Sequence, residues 1–301
     1  MNDLTPRRPR TLAEMGKAMD AMFGPGEVAA GVASYRPRPT DVIISPYGKC
    51  GTTWLQQIFH TLRTRGDMDF DDISRVVPWI ETAGVLGLDL EAPQRGEPRG
   101  FKSHLPWGAA PRGARYIVAF RDPRDAFVSL YRFMEGWFFE PGAISIEDFA
   151  EMRLKGGPEG MDYWSHLVGW WSQRDNPDVL LLSYEHMNAD PEGTIRAVAA
   201  FSGIALDDDL LALTLERSSF DFMLAHKDRF DDAMMRRASE ERSGLPPGSD
   251  SAKVRKGGSG SGRAELPAPI VEALDAKWAE IVTPATGFSD YAAFTAALLG
   301  R

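Results

Sequence analysis

Four short segments constrain the fold of this chain more than any other feature: Asp41-Val-Ile-Ile-Ser45, Gly100 to His104, Tyr116-Ile-Val-Ala-Phe120 and Val179-Leu-Leu-Leu182. They read as strands, and the apolar runs among them do not alternate with polar residues, which is the pattern of strands covered on both faces. Helical spacings lie between them. Trp54, Leu55, Ile58, Phe59 and Leu62 predict a helix over residues 52–63. Pro123 to Met134 predicts another, capped by Asp122 with Pro123 in its first turn, and a third follows Asp190 and Pro191 with Ile195, Val198 and Ala199 inward. Buried strands separated by helices imply an α/β fold, a parallel β-sheet flanked by helices, whose ligands bind at the carboxyl ends of the strands.

Composition narrows the function. With 43% hydrophobic residues and a net charge of −9 over 301 residues, the chain can bury a core and lacks the basic field of a nucleic-acid binder. Cys50, the single cysteine, cannot form an internal disulfide, and no run reaches the ~18 to 20 apolar residues of a membrane span. Arg7, Arg8 and Arg10 precede a charged stretch rather than an apolar signal segment, so a cytoplasmic protein is expected. Residues 1–40 read as an irregular N-terminal arm containing a Met-rich stretch, Met15 to Phe23, with helical spacing; residues 41–301 read as one domain. Within that domain the Ser-, Gly- and Pro-rich stretch at about 239–263 reads as a flexible lid loop outside any core. A helical pattern returns over 268–282 through Ile270, Leu274, Trp278 and Ile281.

The loop Pro46-Tyr-Gly-Lys-Cys-Gly51 joins the first strand to the first helix. Glycines, a lysine and the hydroxyls of Thr52 and Thr53 at a helix N-terminus form a phosphate cradle. Lys49 precedes the second glycine, so the loop departs from G-x-x-x-x-G-K-[ST], and a nucleoside triphosphatase is disfavoured. Arg121 ends the strand 116–120, where its planar fork faces the ligand end of the sheet. Ser129 shares a helix face with Asp125 and Arg132. His104 ends the strand 100–104, and an imidazole neutral at pH 7 can serve as a base. His60, His166, His186 and His226 read as structural or solvated.

These residues resemble a family. PYGKCGTTWLQ is similar to the PKSGTTW loop of the cytosolic sulfotransferases, which binds the 5′-phosphosulfate of 3′-phosphoadenosine 5′-phosphosulfate (PAPS). Lys102-Ser-His-Leu-Pro106 resembles K-T-H-L-P with its catalytic histidine, and Arg121-Asp-Pro-Arg-Asp-Ala-Phe-Val-Ser129 resembles R-N-P-K-D-x-x-V-S, whose Arg and Ser hold the 3′-phosphate. Ser183-Tyr-Glu-His-Met187, Arg217-Ser-Ser-Phe220 and Arg255-Lys256-Gly257 resemble F-Y-E-D-M, H-T-S-F and R-K-G, in the family's order over residues 41–282.

The resemblance implies a P-loop-like, PAPS-dependent sulfotransferase that uses no metal and transfers a sulfuryl group in line to a hydroxyl, with an amine as the lesser alternative, on a small acceptor. It implies His104 as base, with Lys49 and Lys102 beside it. Lys49, Cys50, Gly51, Thr52, Thr53, Trp54, Arg121, Ser129, Tyr184, Ser218, Arg255, Lys256 and Gly257 would bind the donor. Trp79, Trp107, Met134, Trp137, Phe138 and Phe139 flank the motifs and are candidates for an apolar acceptor pocket. The family's dimer segment survives only as Arg263 and Glu272, so a homodimer is left open. Two rivals remain, another nucleotide-dependent phosphotransferase and a nucleotide-binding protein without catalysis. Lys49 lies outside a Walker position, which counts against the first; a base opposite the cradle counts against the second.

Overall fold

The computed structural model describes residues 6–155, 160–248, 253, 254, 260 and 262–300. Among them, four strands form one parallel sheet: β1 (Val42–Ile44), β2 (Gly100–Lys102), β3 (Arg115–Phe120) and β4 (Val179–Ser183), in the order β2-β1-β3-β4. Ile44 is in register with both Lys102 and Ile117, and Phe120 with Ser183. Lys102 therefore ends β2 beside the end of β1, and the loops that follow β1, β3 and β4 leave from one edge.

Both faces are covered, as unbroken apolar strands require. Along β3, Tyr116, Val118 and Phe120 pack into one core layer, while Ile117 and Ala119 pack into the other. The second layer includes Leu55, Ile58, Phe59 and Leu62 of the helix Thr52–Thr64, the apolar stripe read from its spacing. The helix Pro123–Trp137 starts where expected: Arg124 N–H donates to the Asp122 carboxylate and Pro123 fills the first turn. The helix Pro191–Ser202 is capped in the same way by Asp190. No helix among the described residues is long and apolar enough to cross a membrane.

Two segments differ from expectation. Within residues 6–40, expected as an irregular arm with helical spacing only over Met15 to Phe23, two helices form, Leu12–Met22 and Pro25–Ser34. Met15, Ala18 and Met22 are buried on one face at spacings of 3 and 4, which supplies the apolar contact an isolated short helix lacks. The second helix docks closely because Gly31 and Gly84 face it and its partner segment: a Cβ on Gly31 would sit 2.7 Å from the Ile80 carbonyl oxygen, and one on Gly84 2.6 Å from that of Glu27. The stretch expected as a loop from 239 begins as the end of a helix, Ala233–Ser243. Ala238, Ser239 and Leu245 are buried, and Trp137 Nε1–H donates to Ser239 Oγ at 2.9 Å. A polar-rich composition hid these few anchors.

Candidate active site

A cavity of about 710 Å³ opens at the carboxyl ends of the strands and gathers most of the residues singled out by sequence. Its floor is the turn after β1. Lys49 (φ 69°) and Gly51 (φ 91°) both adopt left-handed backbone, and the helix begins at Thr52 without a side-chain cap. The first amide groups of that helix keep their donors for an anion. A Cβ on Gly51 would stand 3.0 Å from the Tyr184 ring, so the chain passes too close to Tyr184 for a larger residue. Thr52 Oγ1 and Trp54 Nε1 are buried without a hydrogen-bond partner among the described residues. Buried polar atoms are ordinarily paired, so two such atoms lining one cradle mark where a polar ligand fits.

Arg121 follows β3 and crosses this floor. Its Nη1 donates to the Lys49 carbonyl at 3.0 Å and its guanidinium lies 4.2 Å over the Tyr184 ring. Tyr184 meets Trp54 edge to face at 5.9 Å. Ser129 and Ser218 line the same wall; the Ser218 hydroxyl donates to the Thr214 carbonyl at 2.6 Å. Cys50 is not brought to the cavity. Its thiol is fully buried and pushed up to about 12 by that burial, and its N–H donates to the Tyr47 carbonyl within the turn. Arg255, Lys256 and Gly257 lie outside the described residues.

At the other end stand Lys102 and His104. His104 Nδ1 is 2.7 Å from the Pro46 carbonyl oxygen, which can only accept, so Nδ1 carries the proton and Nε2 keeps its lone pair. The His104 backbone N–H donates to the buried Glu81 carboxylate at 2.6 Å, fixing the strand end that carries the ring. Burial first, and then the Lys102 charge, hold the imidazole well below its usual value and hence neutral. Burial also lowers Lys49 to about 7 and Lys102 to about 8; the neighbouring Lys253 pushes both the same way. The Lys102 ammonium sits 3.9 Å over the Trp79 ring, and Trp79 meets His104 edge to face at 5.2 Å.

The remaining wall is apolar: Trp79, Leu130, Phe133, Met134, Trp137 and Phe138 face the cavity together with Met19 and Phe23. Of the six aromatic and Met candidates, Trp107 and Phe139 belong elsewhere. Trp107 packs on Tyr116 and Trp170 at 5.6 and 5.3 Å, and Phe139 is fully buried against Tyr131 and Phe149. The lining residues that sequence reasoning did not single out include Met19, Phe23, Phe133, Asp232 and Lys253. Met15, Met19 and Phe23 recur every fourth residue, a signal that could have found the first two. His60 and His166 are buried core histidines, both lowered to about 3 by desolvation. A second cleft, of about 860 Å³ beside Phe70, Arg75 and Arg95, contains none of the motif residues.

The chain is similar to known proteins in both sequence and fold. The sulfotransferase domain model matches residues 39–282. Sulfotransferase 2A1 of Macaca fascicularis is 32% identical over 251 residues, covering 81% of this chain and 84% of its own. Sulfotransferase 1 family member D1 of Rattus norvegicus is 31% identical, covering 76% and 79%. Among solved structures, a retinol dehydratase in complex with androsterone and the inactive cofactor PAP superposes with a TM-score of 0.66 at 21% identity, covering 92% of this chain and 95% of that one. Mouse sulfotransferase SULT7A1 complexed with PAP gives 0.66 at 20% identity, covering 86% and 90%. The family model's match over residues 39–282, with a relative 32% identical over four fifths of the chain, makes this protein a member of the sulfotransferase family, an enzyme of sulfuryl transfer.

Proposed function

We propose that this enzyme takes the sulfuryl group from PAPS and delivers it to the hydroxyl of a small, apolar acceptor, with His104 as general base. One observation carries the reading: a single cavity joins a cationic cradle to an apolar wall, with a neutral imidazole at the seam.

PAPS, as donor substrate, supplies a sulfuryl group on a good leaving phosphate. The chain's own groups do the rest. The amides at the start of the helix Thr52–Thr64, the Thr52 and Thr53 hydroxyls and Lys49 hold the 5′ end. Arg121 and Ser129 hold the 3′-phosphate, Arg121 through its planar fork. Trp54, Tyr184 and Ser218 enclose the base. Arg255, Lys256 and Gly257 join them on the strength of the motif alone. His104 Nε2 accepts the acceptor's hydroxyl proton while the acceptor oxygen bonds to sulfur and the bond from sulfur to the phosphate oxygen breaks. Lys49 and Lys102 offset the charge that accumulates on the oxygens in flight. The apolar wall orients the acceptor and excludes water, favouring aromatic or lipid-like alcohols over free sugars.

Calorimetric titration with 3′-phosphoadenosine 5′-phosphate (PAP), the product nucleotide, tests the donor site against ADP and 5′-AMP. PAP is expected to bind at least tenfold tighter than ADP, because a phosphate gripped by Arg121 is worth a few kcal/mol. Equal affinities would remove Arg121 and Ser129 as the grip on a 3′-phosphate.

A further inference from the structure

Asp232 is the single carboxylate among the described residues lining a cavity that admits a polyanion. It occupies the N-cap position of the helix Ala233–Ser243, where an aspartate ordinarily accepts from the next turn's amides, yet it makes no cap hydrogen bond. Its backbone is left-handed (φ 47°), which turns the side chain away from the helix it precedes. The carboxylate is 2% exposed; one oxygen is ion-paired with Lys253, itself 8% exposed, and Oδ1 has no hydrogen-bond partner among the described residues. Isolated, a carboxylate this buried would be expelled or protonated. It persists because Lys49, Lys102 and Lys253 line the same cavity. Burial, which alone would raise it, is outweighed by Lys102 and Lys253, and Asp232 is held down to about 2, ionised at any working pH.

We infer that Asp232 is the internal counter-ion of the donor site: it pairs with Lys253 until the donor enters and then competes with the donor's 5′ end for that ammonium. Lys253 becomes a further anion-binding residue at the transfer end, exchanging one anionic oxygen for another. The inference rests on the PAPS reading above. It has a definite sign. Removing the competing carboxylate strengthens binding of any anion at the donor's 5′ end, whereas a merely structural Asp232 would weaken it when lost.

The decisive variant is Asp232→Asn, which keeps the size and suits a left-handed backbone. PAP, which carries a 5′-phosphate at this end, is the probe, titrated against wild type, Asp232→Asn, Asp232→Glu and Lys253→Met. Asp232→Asn is expected to bind PAP about three- to tenfold tighter, since removing one like charge at short range in a partly desolvated site is worth that order. Asp232→Glu, which retains the charge, should stay near wild type, and Lys253→Met should bind about three- to tenfold weaker. In turnover, Asp232→Asn lowers KM for PAPS and slows product release. Unchanged or weaker PAP binding by Asp232→Asn overturns the inference, as does unchanged binding by Lys253→Met if the first variant fails to fold. A wild type that binds PAP no better than ADP removes the donor reading itself, a different result from a wild type that prefers PAP and a variant that gains nothing.

Discussion

The two ends of the cavity are made of different kinds of sequence. The end we assign to the donor is assembled from short contiguous segments: Lys49 to Trp54 after β1, Arg121 after β3, Tyr184 after β4. The end we assign to the acceptor is assembled from Met19 and Phe23 near the N-terminus, Trp79 ahead of β2, and Phe133 and Trp137 toward the far end of a helix. A buried lysine or arginine is costly and must be held by a specific turn or strand end, so its presence in a sequence is conspicuous. A phenylalanine facing a cavity costs little more than one facing the core, and the two look alike in sequence. Chemistry is thus written locally and specificity is dispersed.

The seam between the ends is where the comparison can be broken most severely. His104→Ala is expected to lower kcat/KM by about 10² to 10⁴, the usual contribution of a positioned base, while leaving PAP affinity within about twofold. The backbone N–H that reaches Glu81 survives the change, so the strand end keeps its place. A parallel loss of nucleotide binding would show that His104 belongs to the donor wall rather than the seam; unchanged turnover would remove it as the base.

Sequence reading followed the same division. The sheet, the helices Thr52–Thr64 and Pro123–Trp137, and the gathering of Lys49, Lys102, His104, Arg121 and Ser129 were legible because periodicity and local motif carried them. Cys50 occupies a cradle place in sequence, while its thiol is buried beside the Gly48 carbonyl and its amide closes the turn on the Tyr47 carbonyl. At the N-terminus the helical spacing over Met15 to Phe23 was legible, but the docking of Met15, Ala18 and Met22 and the second helix, Pro25–Ser34, were not, because only tertiary contact makes such short helices stable. Asp232 and Lys253 meet across 21 positions with no local pattern to announce them.

Phe23→Ala sharpens the distinction from the apolar side. Phe23 closes the helix Leu12–Met22, meets Trp79 edge to face at 6.4 Å and lines the cavity. Losing an aromatic contact with the acceptor and loosening Trp79 should cost roughly 1 to 1.5 kcal/mol, which is about a five- to tenfold rise in acceptor KM. PAP affinity should not move. If it falls in step with acceptor affinity, the N-terminal helix supports the whole cavity and the two ends are not separable there.

The smallest effect concerns protons at the donor end. Burial and then the charge of Lys253 depress Lys49 to about 7, and burial depresses Lys102 to about 8, so both lysines are partly neutral at pH 7.5 before an anion arrives. A bound phosphate stabilises the charged form and raises both values, so binding takes up protons in the window above pH 7 and affinity falls as pH rises through 7 to 9. Titration with PAP at pH 7.5 in two buffers of different ionisation enthalpy should register uptake of about one proton per nucleotide, most of it lost in Lys49→Met. The apolar wall adds no further lysine among the described residues that line it, so an apolar alcohol added to the nucleotide complex should bind without further uptake. Zero uptake on PAP binding would mean that Asp232 already keeps the lysines charged, and the donor end would then be preset for its anion rather than completed by it.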